Sequence, residues 1–108
     1  PFSNFYDAVA RPIYHQLGNK LNSLVRMKAN LYPSTPKIIE HDFHVDYPFK
    51  HKGALLSINT CDGYTMLEDG TKINSVENRI LFFDSSVNHA STTCTNERVR
   101  VNLNINYF

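Results

Sequence analysis

The sequence predicts a mainly β domain, a compact jelly roll with one helical lead-in. Three observations carry this expectation: a helical period that ends near Leu24, an alternating period from there to Phe108, and turn residues spaced between the alternating runs. The chain has 108 residues, 42% of them hydrophobic and 19% charged, which suits one hydrophobic core. A single domain over 1–108 is therefore expected, with the helical lead-in at about 7–23 and the β core at about 24–108.

In the lead-in, Val9, Ile13, Leu17, Leu21 and Leu24 recur at spacings of three and four and form one apolar stripe. Pro12 falls near the first turn and Gly18 weakens the middle, so two short helices fit as well as one. Beyond Leu24 the period becomes two. The segments VRMKANLY, IIEHDFHV, ALLSIN, YTML, RILFF and VRVNLNINY are rich in β-branched or aromatic residues. Asp62-Gly63 and Asp69-Gly70 suit turns with φ > 0, the second as a tight hairpin between YTMLE and TKI. Eight strands of about five residues are expected.

Composition excludes several functions. Eleven Lys+Arg against 10 Asp+Glu give a net charge of +1, and the basic residues are scattered, so no strong nucleic-acid signal exists. No apolar run reaches the roughly 20 residues that span a bilayer, and PFSNFYDAVARPIY lacks the order of a secretory signal, so no membrane partner is expected. Pro1 in place of Met suggests a trimmed start. Cys61 and Cys94 lack CxxC spacing and make neither a disulfide scaffold nor a zinc site by themselves, which points to a cytoplasmic protein.

The candidate chemistry lies in the histidines. His15 on the lead-in and His51 in FKHKG have no ligand-type neighbours and are expected to be solvated. In EHDFHVDYP, alternation would place Asp42, His44 and Asp46 on one side, with His41, Phe43, Val45 and Tyr47 packing on the other. His44 and Asp46 at i and i+2 can offer a nitrogen and an oxygen to one metal. His89, in FFDSSVNHAS after RILFF, stands where another strand is expected to end and would complete a two-His, one-carboxylate set. Alone, the HxD also fits a strand-end histidine beside a solvated Asp. On the last segment, Arg98, Arg100, Asn102, Asn104 and Asn106 share one face, and Val99, Val101, Leu103, Ile105 and Tyr107 share the other. The polar face suits either open water or a polar lumen holding a carboxylate-rich ligand.

His44-Val45-Asp46, then His89, then an arginine on the last strand, together with LEDGTKI, NRILFFDSS and RVNLNINYF, resemble the Fe(II)/2-oxoglutarate-dependent dioxygenases. The resemblance runs from about Leu24 to Phe108. It is closest to the prolyl-hydroxylase-like branch and to small phage and marine bacterial oxygenases. It implies a double-stranded β-helix, the cupin-like form of the jelly roll, with Fe(II), 2-oxoglutarate as cosubstrate, O2, and ascorbate as an accessory reductant. His44, Asp46 and His89 resemble the iron ligands and catalytic set. Arg100 resembles the residue that pairs with the distal carboxylate of 2-oxoglutarate, with Arg98 as its competitor. Tyr32 and Asn104 would line the cosubstrate pocket, and Ser57 or Asn59 stands where relatives carry a second carboxylate-binding tyrosine.

The implied activity is hydroxylation of a substrate C–H bond with release of succinate and CO2. A prolyl or other peptide residue is the leading substrate, ahead of a small molecule. Asp84 is a candidate to orient an imidazole, and PFKHKG is expected to be a mobile loop at the mouth. The competing readings are a cupin-like metal protein of another reaction class, a non-catalytic barrel binding module, and a sugar-binding jelly roll with a calcium-type site.

Overall fold

The computed structural model describes residues 24–108, so the expected helical lead-in and His15 lie outside the described residues. Seven strands follow in order: β1 (Leu24–Pro33), β2 (Lys52–Ser57), β3 (Tyr64–Leu67), β4 (Lys72–Asn74), β5 (Ile80–Phe83), β6 (His89–Ser91) and β7 (Val99–Tyr107). They form two antiparallel sheets, β1-β7-β2-β5 and β4-β3-β6. No helix among the described residues is long and apolar enough to cross a membrane.

The segment IIEHDFHV, expected as one of eight strands, is not regular. It meets β6 and the residue after it through two isolated bridges, Glu40–Thr92 and His44–His89. Four residue steps on one side span three on the other, so the segment carries one extra residue and the ladder breaks between the bridges. The expected alternation breaks with it. Phe43 and Val45 do not pack inside but are 46% and 38% exposed.

The larger sheet splits its residues by pleat. β7 lies between β1 and β2, pairing Arg26 with Asn106, Lys28 with Asn104, Asn30 with Asn102 and Tyr32 with Arg100. Across its other edge, Gly53, Leu55 and Ser57 stand opposite Asn106, Asn104 and Asn102. This polar face looks toward the smaller sheet. On the far face, Ala54, Ile105 and Tyr107 are buried among Leu24, Met27, Leu56, Ile80 and Leu103, and this apolar cluster is the core.

Of the two Asp-Gly pairs, only Asp69-Gly70 forms the expected turn. Gly70 has φ of 90°, its N–H donates to Leu67 O at 2.9 Å, and Thr71 N–H donates to Asp69 Oδ1 at 2.9 Å. Gly63 is not in the left-handed region; its constraint is room. A Cβ there would stand 2.6 Å from Arg100 Cδ and 2.7 Å from Thr93 O. A left-handed turn residue unforeseen in the sequence is Asn78, with φ of 66°, in the connection from β4 to β5.

His51 is buried rather than solvated, because Tyr47 and Phe49 close around its ring and Phe49 O lies 2.8 Å from its Nδ1. PFKHKG is not at the mouth of the cavity described below. Its residues Lys50 to Gly53 line a separate apolar hollow with Phe82, Phe83, Tyr107 and Phe108. Cys61 and Cys94 are buried free thiols.

Candidate metal centre

His44, Asp46 and His89 converge. The His44–His89 bridge joins the two histidine backbones through a reciprocal pair of hydrogen bonds, 2.9 and 3.0 Å long. Asp46 N–H donates to Ser85 O at 3.1 Å, which turns its carboxylate inward. One ligand-type atom from each residue lies within 4.8 Å of the others. Asp46 Oδ1 is 3.1 Å from His89 Nε2 and 3.4 Å from His44 Nε2. Neighbouring donors about 2.1 Å from an octahedral ion stand about 3.0 Å apart, so these separations fit a shared divalent ion.

The donor chemistry supports the same fit. His89 Nδ1 lies 2.8 Å from Val87 O, a carbonyl that can only accept, so this nitrogen carries the proton. The Nε2 lone pair of a neutral His89 then faces a carboxylate oxygen, and two acceptors hold 3.1 Å apart only with a cation between them. A metal ion or a proton can fill that place. Burial opposes a charge on His89, but its hydrogen bonds to Asp46 and Val87 and the Asp46 charge outweigh it and raise its pKa.

Asp46 is prepared for one-oxygen ligation. Asn104 and Asn106 each donate an amide N–H to Oδ2, at 3.0 and 2.7 Å, leaving Oδ1 to the imidazoles. Burial alone would raise the carboxyl pKa, but hydrogen bonds from His89, Asn106 and Asn104 outweigh it and hold Asp46 well below the usual range. Asn104 thus sits on the carboxylate. Asp46's side chain is 3% exposed and that of His44 is 53% exposed, so the centre opens on the His44 side. Asp84 does not orient either imidazole; it is exposed and accepts from the Ser86 amide and hydroxyl. The Val87 carbonyl takes that role for His89.

A cavity of about 250 Å³ lies between the sheets, lined by the three residues together with Tyr32, Thr65, Ser91 and Asn102 among others. Arg100 stands behind its wall, 1% exposed. One guanidinium nitrogen donates to Ser91 Oγ at 2.5 Å and Thr92 O at 3.0 Å, and another to Thr65 Oγ1 at 3.1 Å. Thr65 and Ser91 are a cross-strand pair of β3 and β6, which is why both hydroxyls reach the same side chain. The guanidinium carbon also lies 5.7 Å from the centre of the Tyr32 ring. No carboxylate among the described residues is within ion-pair distance of Arg100, and its Nε has no partner. Burial lowers its pKa from the ordinary value.

The other expected contacts divide. Arg98 is exposed and precedes β7. Ser57 is buried opposite Asn102. Asn59 is not free for a ligand: its amide donates to Val99 O at 2.8 Å and accepts from Val101 N–H at 2.9 Å, extending the β7 hydrogen bonding past the end of β2. Thr65, Ser91 and the Asn106 contact to Asp46 were not foreseen as site features. Asn106 had a signal in the alternation of β7, whereas Thr65 and Ser91 had none beyond strand register.

No family model matches the sequence, and no curated protein matches it. Among solved structures the chain is similar to a prolyl-4-hydroxylase from Pseudomonas putida, with a TM-score of 0.56, 19% identity, and coverage of 94% of this chain and 60% of that one. It is also similar to a cupin protein from Bacteroides fragilis, with a TM-score of 0.52, 12% identity, and coverage of 75% of this chain and 63% of that one. The chain therefore spans less than two thirds of either protein's length. At these identities the likeness concerns the backbone. The chain has a mainly β, cupin-like fold.

Proposed function

We propose that this chain is an Fe(II)- and 2-oxoglutarate-dependent dioxygenase that hydroxylates a C–H bond, with a prolyl or other peptide residue as the leading substrate. One observation carries the reading. A buried guanidinium with no anion beside it among the described residues backs the same small polar lumen into which His44, Asp46 and His89 present donors at ion-sharing distances. Burying a cation costs several kcal/mol, which hydrogen bonds to neutral acceptors offset in part and an anionic ligand offsets further.

In this reading His44, Asp46 and His89 hold the ion. Bound there with 2-oxoglutarate and O2, Fe(II) supplies the oxidant that converts substrate C–H to C–OH as the keto acid becomes succinate and CO2. The chain supplies geometry. Val87 O fixes the His89 tautomer, Asn104 and Asn106 restrict Asp46 to one oxygen, and Arg100 aligns the far carboxylate with help from the Thr65 and Ser91 hydroxyls. At about 250 Å³ the cavity is below the roughly 300 Å³ at which drug-sized pockets begin, so it takes a compact acid and leaves most of a peptide outside.

Anaerobic titration with Fe(II) and then 2-oxoglutarate tests the reading. A visible charge-transfer band that saturates at one equivalent is expected, followed in air by succinate formation. Metal binding without the band would favour a cupin-like metal protein of another reaction class, and no metal binding would leave a binding module.

A further inference from the structure

Arg100 is one of three cations on the lumen side of the larger sheet. Arg26 and Lys28 line the cavity on β1, in register with Asn106 and Asn104, the two amides that hold Asp46. Tyr32, the cross-strand partner of Arg100, lies six residues along β1 from Arg26 and four from Lys28, about 20 and about 13 Å of extended strand. One five-carbon acid does not reach both ends. Among the described residues no carboxylate lies within ion-pair distance of Arg26 or Lys28, and Arg26 Nε is buried without a hydrogen-bond partner. The cavity's own carboxylate, Asp46, is already held by two amides and two imidazoles. The Arg26 guanidinium rests over the Tyr47 ring, 5.2 Å from its centre, so the fork is held in place.

Resting on the dioxygenase reading, we propose that Arg26 and Lys28 form a second anion subsite that receives a carboxylate of the primary substrate. A planar, stacked guanidinium beside an ammonium matches a carboxylate. Among the described residues no helix N-terminus or glycine-rich loop of the kind that cradles phosphate lines this cavity. An acidic peptide side chain and a free organic acid share this chemistry. The substrate's acid seats on β1 while its reacting carbon faces the open, His44 side of the centre.

The test uses the chain loaded anaerobically with Fe(II) and 2-oxoglutarate. Rhodamine-labelled capped hexapeptides rich in Glu, Gln or Lys are the probes, read by fluorescence anisotropy, and N-acetylglutamate is the small-acid competitor. The Glu peptide should bind at least about tenfold tighter than the Gln peptide, the effect of one charge-assisted hydrogen bond. Arg26→Gln and the more exposed Lys28→Gln should each remove about that factor without moving the 2-oxoglutarate midpoint. Lys50→Gln and Lys52→Gln, which alter cations on the separate hollow, should leave binding unchanged.

Competition by N-acetylglutamate at matched concentration would identify a free acid as the source, and its failure an acidic peptide. Equal binding of the Glu and Gln peptides, or equal losses at Lys50 and Lys52, would overturn the subsite. A shifted 2-oxoglutarate midpoint in Arg26→Gln would overturn it too, by making Arg26 part of the keto-acid site. If wild-type protein shows no charge-transfer band yet binds the Glu peptide through Arg26 and Lys28, the subsite stands and the dioxygenase reading falls.

Discussion

Arg100→Met separates an anion anchor from a structural arginine. Methionine keeps much of the side-chain length and removes the charge. Among the described residues Arg100 makes three hydrogen bonds to neutral acceptors and no ion pair, so its burial penalty is offset only in part. Thr65 and Ser91 line the cavity and can turn to water after the substitution. The buried Thr92 carbonyl loses its donor, so unliganded stability should fall by no more than about 3 kcal/mol, or rise as the charge penalty is removed. Binding of 2-oxoglutarate should suffer far more. Two charge-assisted bonds to a carboxylate at about 1.5 kcal/mol or more each amount to at least a hundredfold in Kd.

The ion centre should not register the change. Arg100 is four residues along β7 from Asn104, about 13 Å of strand. Two assays suffice: the charge-transfer titration for Kd, and thermal unfolding with and without ligand. At 100 times Kd a ligand stabilises its site by about 2.7 kcal/mol, which is roughly 10 °C or more in Tm for a domain of this size. The Met variant should lose that increment at the same ligand concentration. A Kd within threefold of wild type, or a loss of more than 3 kcal/mol of unliganded stability, would refute the reasoning.

Three further outcomes follow from the same geometry. Gly63→Ala should weaken 2-oxoglutarate binding by about tenfold while leaving divalent-ion affinity unchanged, because the new Cβ strikes Arg100 Cδ and Thr93 O, far from the imidazoles; calorimetry with Mn(II) and the keto acid checks both. Divalent-ion affinity should fall by about tenfold per pH unit below the raised pKa of His89, since the ion must displace the proton facing Asp46; a flat Mn(II) affinity from pH 5.5 to 8 would contradict this. The unliganded chain should run oppositely over the same range. Stability from the raised His89 is present below about pH 6.5 and is lost as pH rises through the folded value. The contribution of the depressed Asp46 is held above about pH 3.9 and lost on stronger acidification.

Much of this geometry was legible because β7 writes it in period two. Arg100, Asn102, Asn104 and Asn106 were read as one face, and in the fold that face looks toward the smaller sheet while Leu103 and Ile105 join the core. The i, i+2 spacing of His44 and Asp46 likewise placed them together, and His89 joined them through an antiparallel bridge. What stayed hidden depends on contacts distant in sequence. The extra residue between Glu40 and His44 has no compositional mark, so the HxD segment read as a full strand. Asp62-Gly63 reads as a turn, yet its glycine is required by Arg100, far along the chain. His51 is the local exception: it looked solvated between two lysines, yet Tyr47 and Phe49, only four and two residues before it, fold back over its ring.

The division of labour between the two faces of the larger sheet is what makes such variants informative. Most globular sheets bury apolar residues toward their partner sheet. Here that inner face carries arginines, asparagines and the metal-type donors, and the described apolar cluster of Ala54, Ile105 and Tyr107 lies on the outer face. Burying a Leu- or Ile-sized side chain contributes roughly 1.5–3 kcal/mol, so cohesion is concentrated where no ligand is proposed to bind. Inner-face side chains instead satisfy one another through specific hydrogen bonds, such as Asn30 to Asn102 and Asn106 to Asp46. Changing Arg26, Lys28 or Arg100 should therefore alter recognition before it alters folding. Truncating Ile105 to Ala should do the reverse, costing about 2–5 kcal/mol of stability while the donors of the centre keep their separations in the folded fraction.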